Sequence, residues 1–426
     1  MSVWLLALAA ALAFLPSLAG VFQFDDYNVI VNEPAGRAWR AFLERATGVR
    51  PLLKASYTLN WTLGGGAPGF HLFNIALHVV NTVLAYHAGR TLCERWSAPR
   101  HAALLAALLF ALHPVQVEAV TYISGRSSSL MAAFYLGALL VYLRGGHWAL
   151  SGLLFALAVA TKETALTLPA ALLLCEQDLK SALRRQWPHW AIFVAGLAFV
   201  LLNPRYLELA TFGFTRRDFA DNLLTQVGGV SYLVARLIGL QGPNIDPALP
   251  VLEAWSPAVL LQASLLALLL LAGILQLRRR AWLGFGILWF FLQLVPTNSL
   301  IPRLDVANDR QLYLAGWGLF LALAVQLGAF SRVALAAAAV VCALGSVARQ
   351  LDYTSEIALW EADARRAPWN ARAYNNLGHA YQQAGRTQDA RRAYEAALAF
   401  DPGHPKARMN LLLLDLSGRY RPERTR

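Results

Sequence analysis

The sequence predicts an all-α, polytopic membrane protein with a short helical-repeat domain at its C-terminal end. Three observations predict it. Of 426 residues, 57% are hydrophobic and 15% charged, where soluble domains carry roughly a quarter charged residues. The apolar residues gather in uncharged runs, such as 255–277 and 333–347, each approaching the roughly 20 residues a helix needs to cross hydrocarbon. The last fifth of the chain is polar and carries the offsets of a repeated helical hairpin.

Taken in order, the runs 3–21, 70–89, 102–117, 128–143, 149–160, 164–174, 190–202, 257–277, 282–295, 312–327 and 333–347 read as about 11 transmembrane helices. No lysine or arginine precedes the first run, which is therefore read as an uncleaved span rather than a secretory signal. The stretch 222–240 contains Gln226, Gly228, Gly229 and Arg236 and is read as interfacial or re-entrant. Three basic clusters then fall in the cytoplasm by the positive-inside rule: Arg90, Arg95 and Arg100; Lys180, Arg184 and Arg185; and Arg278, Arg279 and Arg280. The long loop 22–69, the shorter 117–126, 203–221 and 296–310, and the repeat all gather on the opposite face. Within the long loop, 37–45 is expected as a helix lying on the membrane surface. The domains are a transmembrane unit over 1–349 and a repeat unit over 350–426.

A net charge of +12 raises the question of nucleic acid. The basic residues, however, lie in short gaps between apolar runs and on the repeat, over 365–426, without an interleaved aromatic stripe, which argues against nucleic acid as a partner. Cys93, Cys175 and Cys342 are too scattered for a metal site or a disulfide framework.

The best repeat spans 371–404, with Tyr374, Leu377, Gly378, Tyr381, Ala390, Tyr394, Ala397 and Pro402 at the offsets of a tetratricopeptide repeat. A degenerate helix over 357–366 precedes it and a capping helix over 405–416 follows. Tyr374, Asn375, Asn376 and Tyr381 form its candidate protein-binding surface.

Chemistry-bearing residues cluster at loop ends. Asp25 and Asp26 follow the first run directly; two neighbouring carboxylates repel unless a cation or divalent metal neutralises them, although a solvated pair at a helix end is the plainer reading. Arg50 and Lys54 come next. His71, Asn74, His78 and Asn81 then share one face of a span, facing either a cavity or a hydrogen-bonded seam. His113, Glu118 and Arg126 follow. Lys162 and Glu163 could form a simple ion pair, and Arg310 stands where it could fork onto a phosphate or snorkel to the interface. Walker, zincin, dinucleotide and serine-hydrolase motifs are missing, so a group transferred outside the cytoplasm would need a lipid-linked donor.

In order, the chain carries Phe24-Asp25-Asp26, Arg50-Pro51-Leu52, His71-Leu72-Phe73-Asn74 with His78 and Asn81, His113-Pro114 with Glu118 and Gly125-Arg126, Lys162-Glu163, Asp309-Arg310-Gln311-Leu312-Tyr313-Leu314 and then the repeat. This set resembles the tetratricopeptide-repeat-containing transmembrane O-mannosyltransferases and their bacterial relatives, of the glycosyltransferase C (GT-C) superfamily. The resemblance implies an inverting glycosyltransferase moving one sugar from a polyprenyl-phosphate donor to an acceptor hydroxyl on the non-cytoplasmic face. It implies Asp25 and Asp26 as the catalytic pair, with a divalent metal as an optional ligand. Lys54, Arg126, Arg310, His71, His78, Lys162 and Glu163 would line the donor groove, supported by Arg50, Asn74, His113 and Glu118. An exported protein bound by the repeat would be the acceptor, in a bacterial inner membrane with the catalytic loops and repeat in the periplasm. Lipid A, a polysaccharide or another glycolipid as acceptor, and a non-catalytic membrane-anchored scaffold, are the alternatives. The sequence departs from the family in its short repeat array and in Asn308-Asp309-Arg310, where the family usually has a glutamate before the arginine.

Overall fold

A computed structural model describes residues 2–44, 49–327 and 332–419. They form helices joined by turns, with no strand among the described residues. The all-α architecture and the C-terminal repeat hairpin are present, but eleven crossings are not. Among the described residues only Gly66–Arg95, Ile123–Leu143 and Pro257–Arg279 are long and apolar enough to cross a membrane. The pairs Arg100–Leu112 with Pro114–Val120, bent by 54°, and Trp187–Leu202 with Pro204–Arg216, bent by 65°, raise the number to five if each is one span.

The shortfall has a physical cause. Runs of apolar residues do not show where a helix stops. Pro114 breaks the run 102–117, because proline removes a donor and forces the preceding residue out of the helical region, and Pro204 turns the chain just past the run 190–202. Other runs end early: the Trp148–Thr161 helix has 14 residues, about 21 Å at 1.5 Å per residue, against a hydrocarbon core of about 30 Å. Val3–Ala19, Glu163–Leu173, Ala281–Leu294 and Ala336–Leu351 are likewise short apolar helices. The expected surface helix over 37–45 is two short helices, Pro34–Arg37 and Trp39–Glu44, parted by an extended Ala38; Arg45 lies outside the described residues.

The helices pack through small residues. Ala102, Ala103, Ala106, Ala107 and Ala111 of Arg100–Leu112 are all buried, which lets neighbouring backbones approach closely. The buried rings of Trp289 and Trp317 meet edge to face at 4.9 Å, and the Trp289 indole donates to the Leu314 carbonyl at 2.8 Å.

Glu356–Arg366, Ala371–Gln383, Thr387–Phe400 and Pro405–Arg419 form the repeat region. A Cβ at Gly378 would lie 2.6 Å from the Tyr394 ring, so only glycine allows the two helices of the hairpin this approach. The repeat does not hang free. Asp363 accepts from the Ile245 and Asp246 amides at 3.1 and 3.2 Å, and Asn370 donates to the Asp246 carbonyl at 2.8 Å. These contacts hold the repeat against the loops at one end of the helical bundle.

Candidate functional site

The loop after the first helix enters this end through Phe24, a non-glycine residue at φ 49°. Such a backbone persists only where its surroundings over-determine it. Here the Phe24 amide donates to Glu356 at 3.2 Å, its ring lies edge-on to Trp360 at 5.2 Å, and the Gln23 side chain donates to the Tyr353 carbonyl at 2.6 Å. The repeat side of the molecule thus sets the path of the chain into the acidic pair.

The two acids then diverge. Asp26 is fully buried. It accepts from the Gln23 amide at 3.0 Å, from the Ser124 amide at 2.8 Å and from the Ser124 hydroxyl. Burial still pushes its carboxyl up to about 7, against the lowering effect of those donors. Gly125 permits this junction, since a Cβ there would sit 2.2 Å from the Glu118 carbonyl oxygen. Asp25 is only partly buried, and its amide donates to the Tyr122 hydroxyl at 3.0 Å. Burial raises its carboxyl above the ordinary range, Arg310 opposes that rise, Asp305 adds to it, and Arg372 and Tyr122 counter it.

Beyond Asp25 lies a cluster of cations. Arg310 pairs with buried Glu118 at 2.8 Å and stacks over Tyr122, while neighbouring Asp309 holds Arg236 through two bonds of 2.9 and 2.5 Å. Glu118 also accepts the Asp309 amide at 2.9 Å. Lys162 donates to Ser128 at 2.9 Å, and burial together with Arg50 pulls its ammonium well below the usual lysine range. Lys162, Ser128, Arg310 and Tyr313 line a narrow cavity of about 20 Å³. Glu163 is spent on Arg50, through bonds of 2.9 and 2.5 Å, and also accepts from Tyr206 at 3.1 Å. Arg50 itself stands at φ 56°. Arg303 faces Glu163, Arg50, Arg310 and Asp305, yet makes no ion pair among the described residues.

The remaining motif residues are engaged elsewhere. Arg126 is buried and donates to Asn74 at 2.7 Å and to the Ser56 and Phe70 carbonyls at 3.1 Å each, with Tyr57, Phe70 and Phe73 around it. His78 bonds the Tyr313 hydroxyl and the Ala111 carbonyl, and Asn81 donates to Ser129 and Tyr313. His71 is buried against Gly20, where a Cβ would come within 2.7 Å of its ring. His113 caps the Val115 amide at 3.3 Å. Lys54 makes no ion pair among the described residues. The cavity therefore gathers Lys162 and Arg310, with Asp25 and Glu118 beside Arg310, and leaves Arg126, His71 and His78 in the protein interior.

On the repeat, Asn375 is buried and accepts from Asn410 at 3.0 Å, Tyr374 stacks on Phe400, and Tyr381 donates to Glu361 at 2.6 Å. Asn375 donates to Asn376 at 3.2 Å.

Both Asp26 oxygens accept from protein donors, which leaves Asp25 as the freer carboxylate of the pair. No group of three or more His, Cys, Asp or Glu suited to a metal occurs among the described residues. Sequence reasoning missed Arg303, Asp305, Arg372 and Tyr122. Arg372 looks like one more solvated basic residue of the repeat, and Arg303 and Asp305 sit in a loop without periodicity.

Comparison with known proteins bears on this geometry. The model of glycosyltransferase family 87 matches residues 67–297, more than half of the chain. The chain belongs to glycosyltransferase family 87. A tetratricopeptide-repeat model matches residues 371–404 of this family member. A protein O-mannosyl-transferase of Drosophila melanogaster, Tmtc2, is 36% identical over 195 residues, covering 39% of this chain and 20% of the fly protein. One from Caenorhabditis elegans is 25% identical over 428 residues, covering 92% of this chain and 61% of the nematode protein. Mouse TMTC4, also a protein O-mannosyl-transferase, is 25% identical over 464 residues, covering 86% and 62%. The chain thus spans between a fifth and under two thirds of the length of these relatives. No solved structure matches it. Family 87 is a family of glycosyltransferases, and three to five spans of this member, among the described residues, are long and apolar enough to cross a membrane.

Proposed function

We propose that the chain transfers a single mannose from a polyprenyl-phosphate donor to a serine or threonine hydroxyl of an exported protein. The observation that carries the proposal is the setting of Asp25, a partly exposed carboxylate under the influence of Arg310, which with Lys162 walls a narrow cavity. An alcohol is a weak nucleophile, and a carboxylate within reach of its proton acts as general base. The acceptor oxygen attacks the anomeric carbon as its proton passes to Asp25. The bond from that carbon to the phosphate oxygen breaks, and its electron pair leaves with the polyprenyl phosphate. Negative charge gathering on the leaving phosphate is met by Arg310, Lys162 and Arg303, in a site with little water. One displacement inverts the anomeric centre.

Asp26 acts as a fastener here: its bonds to Gln23 and Ser124 join the entry loop to the turn before Arg126 and so aim Asp25. Glu118 orients Arg310, and Arg50 with Glu163 holds the far wall. The transmembrane unit of 1–349 would carry the chemistry and the repeat unit of 350–426 the acceptor contacts. The three arginine-rich loops in the cytoplasm would leave the site on the periplasmic side of a bacterial inner membrane.

The test is reconstitution of the purified chain in vesicles with polyprenyl-phosphate mannose and a serine- and threonine-rich synthetic peptide. Peptide gaining the mass of one hexose is expected. Sugar appearing only on lipid or glycan would reject the protein acceptor, and labelling that places Asp25 on the cytoplasmic side would reject the proposal as a whole.

A further inference from the structure

A second cleft, of about 240 Å³, opens between two loops and the repeat. Its walls are Asp246 to Leu249, Leu304 to Ala307, and Asn370 and Arg372 of the repeat. It therefore exists only where two loops of the membrane unit meet the repeat. Arg372 ties them together, donating to Asp246 at 2.5 Å and to Asp305 at 2.8 Å. One wall residue, Ala248, is held at φ 44°, and its carbonyl accepts from the Trp369 indole at 3.4 Å. Strained backbone of this kind concentrates at ligand-binding sites.

The two cavities differ in charge. Lys162 and Arg310 wall the first, with unpaired Arg303 facing Arg310. In the second, Asp246 and Asp305 outnumber Arg372, so a phosphate is disfavoured and an uncharged or basic occupant is favoured. Asp25 feels the charges of both, Arg310 from the first and Asp305 and Arg372 from the second. Beside the second cleft two large apolar side chains remain open to solvent: Leu304 is 63% exposed and Trp369 59%. An apolar rim around a few placed polar groups is the usual make-up of a specific binding site.

From these observations we infer that the cleft between the 246–249 and 304–307 loops and the repeat is the acceptor subsite, taking a short extended polypeptide segment with neutral or basic flanks, gripped at its rim by Leu304 and Trp369. The inference rests on the proposed transfer to protein. It makes the repeat one wall of the active site as well as a recruiting arm. The acceptor hydroxyl would reach Asp25 past the Asp305–Arg372 pair, while the donor phosphate is held by the cationic Lys162 and Arg310.

Steady-state transfer to the same synthetic peptide tests it, with acceptor and donor varied separately. Leu304→Ala and Trp369→Ala should each raise the acceptor KM about tenfold, the scale of a lost interface anchor, and leave the donor KM unchanged. Trp369 bonds the Ala248 carbonyl, so its loss could disturb the wall; Leu304 has no such bond and keeps the test clean. A peptide with aspartates flanking its serine should be a poorer acceptor than one with neutral flanks. Unchanged acceptor KM in both variants, or an equal rise in the donor KM, overturns the subsite while the function stands. A wild-type chain that glycosylates lipid and never peptide overturns both.

Discussion

Two polar regions of this molecule are equally prominent in its sequence and differ completely in their surroundings. Along Gly66–Arg95, Asn74, His78 and Asn81 are met by Arg126, Tyr313 and backbone carbonyls. At the end of the bundle, Asp25 and Arg303 are neither fully buried nor locked in ion pairs, and Lys162 makes one bond to a serine hydroxyl. The first region has spent most of its hydrogen-bonding capacity on holding helices together, leaving the Asn81 side-chain oxygen and the His71 ring without a hydrogen-bond partner among the described residues. The second has kept some of it available. A motif residue therefore cannot be assigned a role from its type and spacing alone; what decides is whether its polar atoms already have protein partners.

Breaking the first region should cost stability. Arg126→Met leaves Asn74 and the Ser56 and Phe70 carbonyls without their buried donor, a loss of about 3–5 kcal/mol. The melting temperature should fall sharply, while the transfer rate per folded molecule stays near that of the wild type. Breaking the second should cost function. Lys162→Met and Arg303→Gln should raise the donor KM by about 10–100-fold, the scale of a lost charge-assisted hydrogen bond, with little change in melting temperature. If Arg126→Met instead keeps its stability and loses donor affinity, the division between the regions is misplaced.

A smaller effect concerns pH. A general base must be deprotonated, so the rate should fall as pH drops through the Asp25 midpoint, which burial places above the ordinary aspartate value of 3.8. Arg310 is the strongest influence lowering that midpoint. Arg310→Gln should therefore move the acidic limb of the rate profile to higher pH, besides weakening the donor. An acidic limb that moves to lower pH, or does not move, would separate Asp25 from the titrating base.

Much of this was legible in the sequence. The repeat over 371–404 announced itself because Gly378, Tyr394 and Pro402 occupy positions fixed by the close packing of two helices. Asp25 and Asp26 were conspicuous as adjacent acids beside an apolar run. Their divergence was not, because it depends on Ser124, a residue distant in the chain that reaches one acid and not the other. Arg303, Asp305 and Arg372 went unseen for the same reason: each matters only through a contact between separate loops. The expected number of crossings failed at Pro114, and at helices that stop after a few turns, since apolar composition is local whereas a helix end is decided by proline and by packing.

The most direct measurement is the rate of sugar transfer in a single turnover, with polyprenyl-phosphate mannose already bound, for the wild type and for Asp25→Asn. The expected result is a rate lower by about 10²–10⁴-fold, the usual worth of a general base, with donor affinity and melting temperature unchanged. A variant that transfers sugar at the wild-type rate would contradict the assignment of Asp25 and, with it, the distinction drawn between the two regions.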